Sequence, residues 1–405
     1  MTERGLPRVL YVGDVPVEAS HHGSALLYRV LEQYPPDRLR VVETGEPSRA
    51  DRRLAGVNYS GLPIGRRRWL NTRLHNLYSS WLSLTASSRV RHMPAIVANF
   101  DPAVIVTVGH GYGWLLAAEF AQHMNVPLHL IVHDDWPRLG GIVPILRGWL
   151  ERRFAKVYRK ALTRLCVSPF MAEEYQRRYG AAGSVLYPSR SGSCPVFEAK
   201  PSRAIQEPDQ MVIGYGGNSG PEMMACLRDL AGALADANAR MLVFGSFGGP
   251  EQQRLLAISP SLTFHGFVSH QEMIARLRAE ADVLFVPMAF DAAARDNMIV
   301  SFPSKLADYT AVGLPILVYG PPYSSAIRWA GMYDPVAEVV DIAGPAGLGT
   351  ALRRLKGDSP LCQRLSERAL AVGAACFSAE SGRASFYAAV TAPSRDEATV
   401  GATVA

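Results

Sequence analysis

Short runs of β-branched and aliphatic residues alternate along the chain with longer stretches whose apolar positions recur every three or four residues. That is the pattern of parallel strands joined by crossover helices. In the first half the strand runs are Val9 to Val12, Leu39 to Val42, Val104 to Val108, Leu128 to Val132 and Leu165 to Val167, with helical patterns such as Gly23 to Gln33 and Trp114 to His123 between them. The polar stretch Ala199 to Gln210, with two prolines, reads as a linker. A second set follows: strands at Met211 to Tyr215, Arg240 to Phe244, Leu262 to Phe264, Val283 to Pro287 and Leu314 to Tyr319, with helices at Pro221 to Ala235, Gln271 to Glu280, Ser304 to Ala311 and Ala379 to Val390. The expected fold class is α/β, two doubly wound Rossmann-like domains facing across a cleft. The first spans 1–200 and the second 201–375, followed by a helical segment, 376–390, and a frayed tail, 391–405.

Composition agrees with large buried cores: 405 residues, 48% apolar and 19% charged. Five scattered cysteines without a CxxC pair argue against a disulfide framework and against a cysteine metal site, so a reduced, cytoplasmic protein is expected. The charged opening MTERGLPRVLYVGD and the lack of any run of about 18 apolar residues point away from secretion and from a membrane span. Charge is uneven. Residues 1–200 hold 26 Lys and Arg against 16 Asp and Glu, whereas the remainder holds 16 against 20. A basic first half suits an anionic partner, but without an RNP sequence, zinc finger or helix-turn-helix, nucleic acid is not expected.

Part of that basic charge lies in residues 64–93, where arginines mix with Trp69, Leu70, Leu74, Leu77, Tyr78, Trp81 and Leu82. Spacings of three and four put these apolar residues on one helical stripe. The helix either packs on its own domain or lies on an anionic membrane surface, apolar face down. The clusters at 158–160 and 177–178 are expected on solvated helix faces.

The segment SFPSKLADYTAVGLP, 301–315, carries the most chemistry. Pro303 in a first helical turn leaves the amides of Ser304, Lys305 and Leu306 facing the preceding loop, and the Lys305 ammonium converges on the same point. Such a helix start can hold a diphosphate, with Asp308 one turn on for a ribose diol. A capped surface helix is the alternative. In the first half, IVHDDWPRL delivers His133, Asp134 and Asp135 at a strand end, where ionisable groups concentrate around a ligand. HHGSA contributes His22 and Gly23 after the first strand, and VGHGYGW contributes His110 and Tyr112 as a neighbouring lip. The paired histidines have no third ligand at metal spacing.

The order IGYGGN, LVFG, FHGFV, ADVLFVPM and SFPSKLADYTAVGLPILVYG resembles the donor domain of GT-B fold glycosyltransferases, particularly the family-four group, over about residues 211–320. The resemblance implies a nucleotide-diphosphate sugar donor in the second domain, an acceptor hydroxyl (glycan, glycolipid or lipid-linked saccharide) on the first, and a final helix that crosses back to the first domain. It places Gly266 and Phe267 against the nucleobase, Asp308 on the ribose, and Gly217 and Asn218 beside the donor. The family's first glutamate falls at Val300 here, which passes sugar recognition to Asp291, Asp296 or Asn297. The loop GGNSGPEMMACLR offers only Arg228 where similar chains place an arginine and a lysine, so Lys305, with Arg295 second, carries the diphosphate charge. Asp134, Asp135 or His133 would be the base or would place the acceptor. Helix amides and a lysine stand in for Mg²⁺ and no DxD motif ends a strand, so neither a metal nor a cofactor is expected. The alternatives are a non-catalytic relative that binds a nucleotide sugar or partner protein, and a nucleotide-sugar 2-epimerase.

Overall fold

The computed structural model describes residues 5–20, 22–62, 65, 67–201, 210–217 and 220–393. It divides into two compact units, Met1–Ser189 with Ala379–Ala405, and Arg190–Ser378.

The first unit is built on seven strands: β1 (Val9–Gly13), β2 (Leu39–Glu43), β3 (Asn58–Gly61), β4 (Val104–Val108), β5 (Leu128–Val132), β6 (Thr163–Cys166) and β7 (Ser184–Val185). They pair in parallel in the order β3-β2-β1-β4-β5-β6-β7. Every residue of β1 and β4 is buried, as expected of central strands covered on both faces. One face packs Leu10, Val12 and Ile105 against Leu116, Ala117 and Phe120 of the helix Gly113–Met124.

The second unit holds β8 (Met211–Gly216), β9 (Ala239–Phe244), β10 (Leu262–Gly266), β11 (Val283–Pro287), β12 (Ile316–Tyr319) and β13 (Glu338–Val340), in the parallel order β10-β9-β8-β11-β12-β13. Its core joins Ile213, Tyr215, Met241, Val243 and Phe285 to Leu227, Leu230, Leu348 and Leu352. Strand order reverses at β1/β4 in one sheet and at β8/β11 in the other, the positions where open α/β sheets receive ligands.

The division between units falls at Ser189/Arg190, ahead of the polar stretch that marks a linker in the sequence. Residues 190–199 are held by the second unit. The Arg190 amide donates to Phe377 O at 2.8 Å, the Arg278 guanidinium donates to Ala199 O at 3.1 Å, and the same group lies 3.8 Å from the Phe197 ring centre. The helix Ala379–Val390 groups with the first unit, where Tyr387 meets Tyr34 edge-on at 5.5 Å.

Residues 64–93 do not form one helix. A 3₁₀ turn, Arg67–Asn71, precedes the helix His75–Leu84, and shorter turns follow. Its apolar residues also divide between two faces: Tyr78 and Leu82 are buried, while Leu74, Leu77, Trp81 and Leu84 are exposed. Arg178, expected on a solvated face, is likewise buried.

Candidate functional site

In the second unit, the ends of three neighbouring strands are stitched together by glycine backbone. The Gly217 amide donates to Phe244 O at 2.9 Å and the Gly245 amide to Gly266 O at 2.7 Å. Gly245 has φ +131° and any Cβ there would strike Gly217 O, so only glycine lets β8 and β9 end this close together. A Cβ on Gly217 would in turn lie 2.7 Å from Lys305 Cε. The sequence-distant Gly217, Gly266 and Lys305 thus form one surface. Phe267 is 63% exposed beside Gly266, around which a Cβ would meet open space.

The helix that carries Lys305 is Lys305–Val312, with Ser304 at its N-cap, so Pro303 precedes the helix instead of opening it. The Leu306 amide donates to Pro303 O at 3.0 Å and the Leu306 side chain is buried, which removes Leu306 from the expected set of free donors. The tight turn that Pro303 starts uses that amide. Ser304 is exposed, and its amide and that of Lys305 have no acceptor among the described residues. Burial lowers the Lys305 pKa to about 8, opposed by the nearby Asp308 carboxylate; its Nζ lies 5.2 Å from the Tyr215 ring centre. The ammonium is therefore charged at pH 7 yet poorly hydrated, and an anion would solvate it.

Asp308 Oδ1 lies 3.2 Å from His270 Nε2, two residues past HGFV, within ion-pair distance but without hydrogen-bond geometry. Below them Arg190 is buried, donating to Ala307 O at 2.8 Å and to Thr310 Oγ1 at 2.9 Å, and Tyr309 Oη accepts from the Gly216 amide at 2.7 Å. These groups fix the helix against β8. Neither His270 nor Arg190 stood out in the sequence, because what selects them is a partner more than thirty residues away.

The remaining expected donor groups differ in burial and in their local partners. Val300 is fully buried, so the position that carries a glutamate in similar chains is core here. Arg295 is exposed with its guanidinium 4.1 Å from the Tyr323 ring centre, Asp291 Oδ1 accepts from the Ala293 amide at 2.9 Å, and Arg228 donates to Met224 O within its own helix. Asn297 lies on the short helix Arg295–Val300; its Oδ1 is buried with no hydrogen-bond partner among the described residues. Asn218 lies outside the described residues.

In the first unit, the end of β5 presents a dyad. His133 Nε2 lies 3.1 Å from Asp134 Oδ2, with the histidine mostly buried and the carboxylate 42% exposed. His133 Nδ1 is buried with no hydrogen-bond partner among the described residues. The ring lies directly over Gly23 at the start of the helix His22–Leu31, where a Cβ would come 2.8 Å from His133 Cε1. The segments HHGSA and IVHDDW therefore meet. Replacing Gly23 with alanine would drive its Cβ into the His133 ring and displace it, so a fall in kcat is expected in a variant that thermal unfolding shows to be folded.

His110 stacks on this group, 5.8 Å from His133 and 4.2 Å from Trp136, whose indole donates to Gly111 O at 2.9 Å. Burial, and then the charge of His133, pull the His110 pKa down to about 4, so it is neutral at pH 7. Among the described residues His110, His133 and Asp134 also bring their ligand atoms within 4.8 Å of one another, the one grouping there able to hold a cation.

Two expected site residues are structural. Asp135 is buried, accepting from Tyr175 Oη at 3.0 Å and from Arg178 Nη1 at 2.7 Å, so its carboxylate is consumed by the fold and cannot serve as a base. Tyr112 is also buried, its hydroxyl donating to Thr44 O at 3.2 Å, so it is no lip. The backbone of His22 opens its helix. A carboxylate not anticipated is Asp14, directly after β1. It accepts from the Tyr112 amide at 2.5 Å, the Gly113 amide at 2.6 Å and Thr44 Oγ1 at 2.9 Å, so it caps the helix that follows His110. Gly111, at φ +59°, is required there because a Cβ would strike that carboxylate. The visible signal was an acid closing the run VLYVGD.

Two doubly wound units with these switch points match solved structures across nearly their whole length. This is the GT-B glycosyltransferase fold. HepE of Anabaena, solved in complex with UDP and glucose, superposes with a TM-score of 0.64 at 12% identity, covering 96% of this chain and all of that one. Sucrose-phosphate synthase from Thermosynechococcus elongatus gives 0.66 at 14% identity over 93% and 96% of the two chains. The lipopolysaccharide outer core galactosyltransferase WaaB gives 0.64 at 14% identity over 94% and 98%. Residues 37–188 match the model of Glycosyltransferase Family 4, which places the sequence-level match in the first unit of the GT-B fold. No curated protein sequence matches the chain significantly. Among the described residues no helix is long and apolar enough to cross a membrane.

Proposed function

We propose that this protein is a glycosyltransferase that binds a nucleotide-diphosphate sugar on its second unit and transfers the sugar to an acceptor hydroxyl handled by the first. The observation that carries the reading is the convergence of Gly217, Gly266 and the Lys305 helix start on one surface, with a partly buried ammonium and two amides offered to an anion. HepE is solved with UDP-glucose, the ligand class this surface suits. Lys305 and the amides of Ser304 and Lys305 hold the diphosphate, Phe267 and Gly266 flank the base, and Asp308, in contact with His270, meets the ribose. The leaving diphosphate gains negative charge in the transition state, where a fixed, poorly hydrated ammonium stabilises it more than water would.

On the first unit, the Asp134 carboxylate 3.1 Å from His133 Nε2 favours a proton on that nitrogen, which leaves Nδ1 to take the acceptor's proton once acceptor binding uncovers it, and neutral His110 borders the same space. Both roles run without a metal, and transfer is expected to survive EDTA. The basic segment 64–93 would hold the protein at an anionic membrane face, as a peripheral protein of the cytoplasm.

Lys305→Ala tests the donor site. Loss of one charged hydrogen-bonding partner costs about 2 kcal/mol, or roughly thirtyfold in UDP affinity by calorimetry. Wild-type affinity should also fall as pH rises through about 8, since only the charged lysine binds diphosphate, and the variant should lose that pH dependence. Unchanged affinity in the variant would overturn the site. A non-catalytic binder remains the second reading because of buried Val300; it predicts saturable nucleotide-sugar binding with no release of nucleotide diphosphate.

A further inference from the structure

The helix His75–Leu84 has two apolar faces, and only one of them is used by the fold. Tyr78 and Leu82 are buried, and Ser80 Oγ accepts from the Val143 amide at 3.0 Å, which ties that face to the loop after the Trp136 turn. The other face presents Leu74, Leu77, Trp81 and Leu84, spaced by three, four and three residues, at 38%, 60%, 47% and 53% exposure. A helix needs one apolar stripe to fold onto its domain; a second, left in water, marks a binding surface.

This face opens into a pocket of about 410 Å³ lined by Gly65, Trp69, Leu74, Leu77, Tyr78 and Trp81. Trp69 meets Tyr78 edge-on at 5.6 Å and Tyr78 stacks on Trp81 at 5.4 Å, forming an aromatic wall. Among these lining side chains only two indole N–H groups and the Tyr78 hydroxyl are polar, so the wall suits a flexible hydrocarbon chain better than a sugar, whose several hydroxyls need more partners. A cation borders this wall, in a segment, residues 64–93, whose sequence has six arginines and no acidic residue. Arg73 and Arg91 are exposed, and the Arg89 guanidinium lies 4.7 Å from the Trp81 ring centre, beside the apolar wall. Arginine beside hydrocarbon-binding aromatics is the arrangement that fits a chain ending in phosphate.

The same helix also meets the segment that follows the His133–Asp134 dyad in the chain. A Cβ on Gly141 would lie 2.6 Å from His75 Nε2, and Val143 bonds to Ser80, so the loop that leaves the dyad rests directly on this helix.

We propose that the pocket binds the hydrocarbon chain of a phosphate-terminated lipid, whose phosphate is held by Arg89 beside Trp81. Given the transferase reading above, on which this part rests, a saccharide esterified to that phosphate carries the acceptor hydroxyl. The pocket itself takes a single lipid molecule, whether or not the rest of the segment lies on a bilayer.

The test uses the full chain and farnesyl phosphate as probe, followed by calorimetry, with inorganic phosphate and phosphatidylcholine–phosphatidylglycerol vesicles as separate arms. Saturable binding of farnesyl phosphate, weakened about tenfold by Leu77→Gln and by Trp81→Ala and weakened by salt, is expected, with no saturation by inorganic phosphate. Both side chains are exposed, so unfolding midpoints near that of the wild type confirm that the variants are folded. Equal affinity in folded variants, or no saturation in the wild type, overturns the proposal; so does sedimentation with vesicles without binding of the monomeric probe. UDP binding is measured on the same sample. Absent UDP binding with intact, variant-sensitive farnesyl phosphate binding supports the lipid pocket and removes only its role as acceptor site.

Discussion

Replacing Asp134 with asparagine is expected to lower kcat by about 10²–10⁴ while leaving UDP affinity within roughly twofold. The magnitude follows from the geometry of the dyad. Asp134 Oδ2 sits 3.1 Å from His133 Nε2 while Nδ1 has no hydrogen-bond partner among the described residues, so the negative charge beside Nε2 favours the tautomer that keeps its proton there. An asparagine can turn its amide toward Nε2 and shift the hydrogen to Nδ1, where it would oppose proton abstraction while the fold is unchanged. His133→Ala should fall by a similar factor, and the double variant by little more, because the two residues act as a unit. The rate is read as release of nucleotide diphosphate from whichever nucleotide sugar binds. A kcat within threefold of wild type in Asp134→Asn would show that the acceptor's proton leaves by another route, such as the departing phosphate of a retaining transfer.

The neighbouring carboxylate should behave in the opposite way. Asp135→Ala is expected to destabilise the protein by about 3–5 kcal/mol, measured by urea unfolding, because it strands a buried guanidinium. Asp135 and Arg178 have side chains only 2% and 5% exposed, and Tyr175 donates to the same carboxylate. Arg178 keeps a second partner in Glu174, at 2.6 Å, which places the expected loss toward the lower end of that range. Any loss of activity in Asp135→Ala should therefore be restored under conditions that restore folding, such as lower temperature. A variant as stable as wild type with activity abolished would return Asp135 to the catalytic group. Side by side, the two substitutions separate chemistry from architecture at adjacent positions.

That contrast shows how far the sequence could be read. HDD at a strand end announced a cluster of ionisable groups but gave no means of choosing between Asp134 and Asp135. The choice depends on Arg178 and Tyr175, contributed by a helix about forty residues later, and on which side chain turns inward. The strand and helix order was legible because parallel strands buried on both faces are nearly continuous apolar runs, as in β1 and β4. The edge strands β3 and β7 lack that burial and passed unnoticed. The helix start at Lys305 was legible from Pro303, Ser304 and Lys305, whereas the loss of the Leu306 amide to Pro303 was not, since a turn's internal hydrogen bond leaves no residue signature.

By itself, then, the sequence determined the alternation of elements, the two-sheet class, the basic first half and the residue types at the strand ends, all of which follow from local periodicity and side-chain chemistry. Only the tertiary structure decided which groups meet. It brought Gly217, Gly266 and Lys305 onto one surface, set His133 over Gly23, withdrew Asp135 and Tyr112 into the core, and left one face of the His75–Leu84 helix in water. Those outcomes depend on the packing of segments distant in the chain, where burial removes one polar group from use and exposes its neighbour, and no pattern within a single segment encodes that selection.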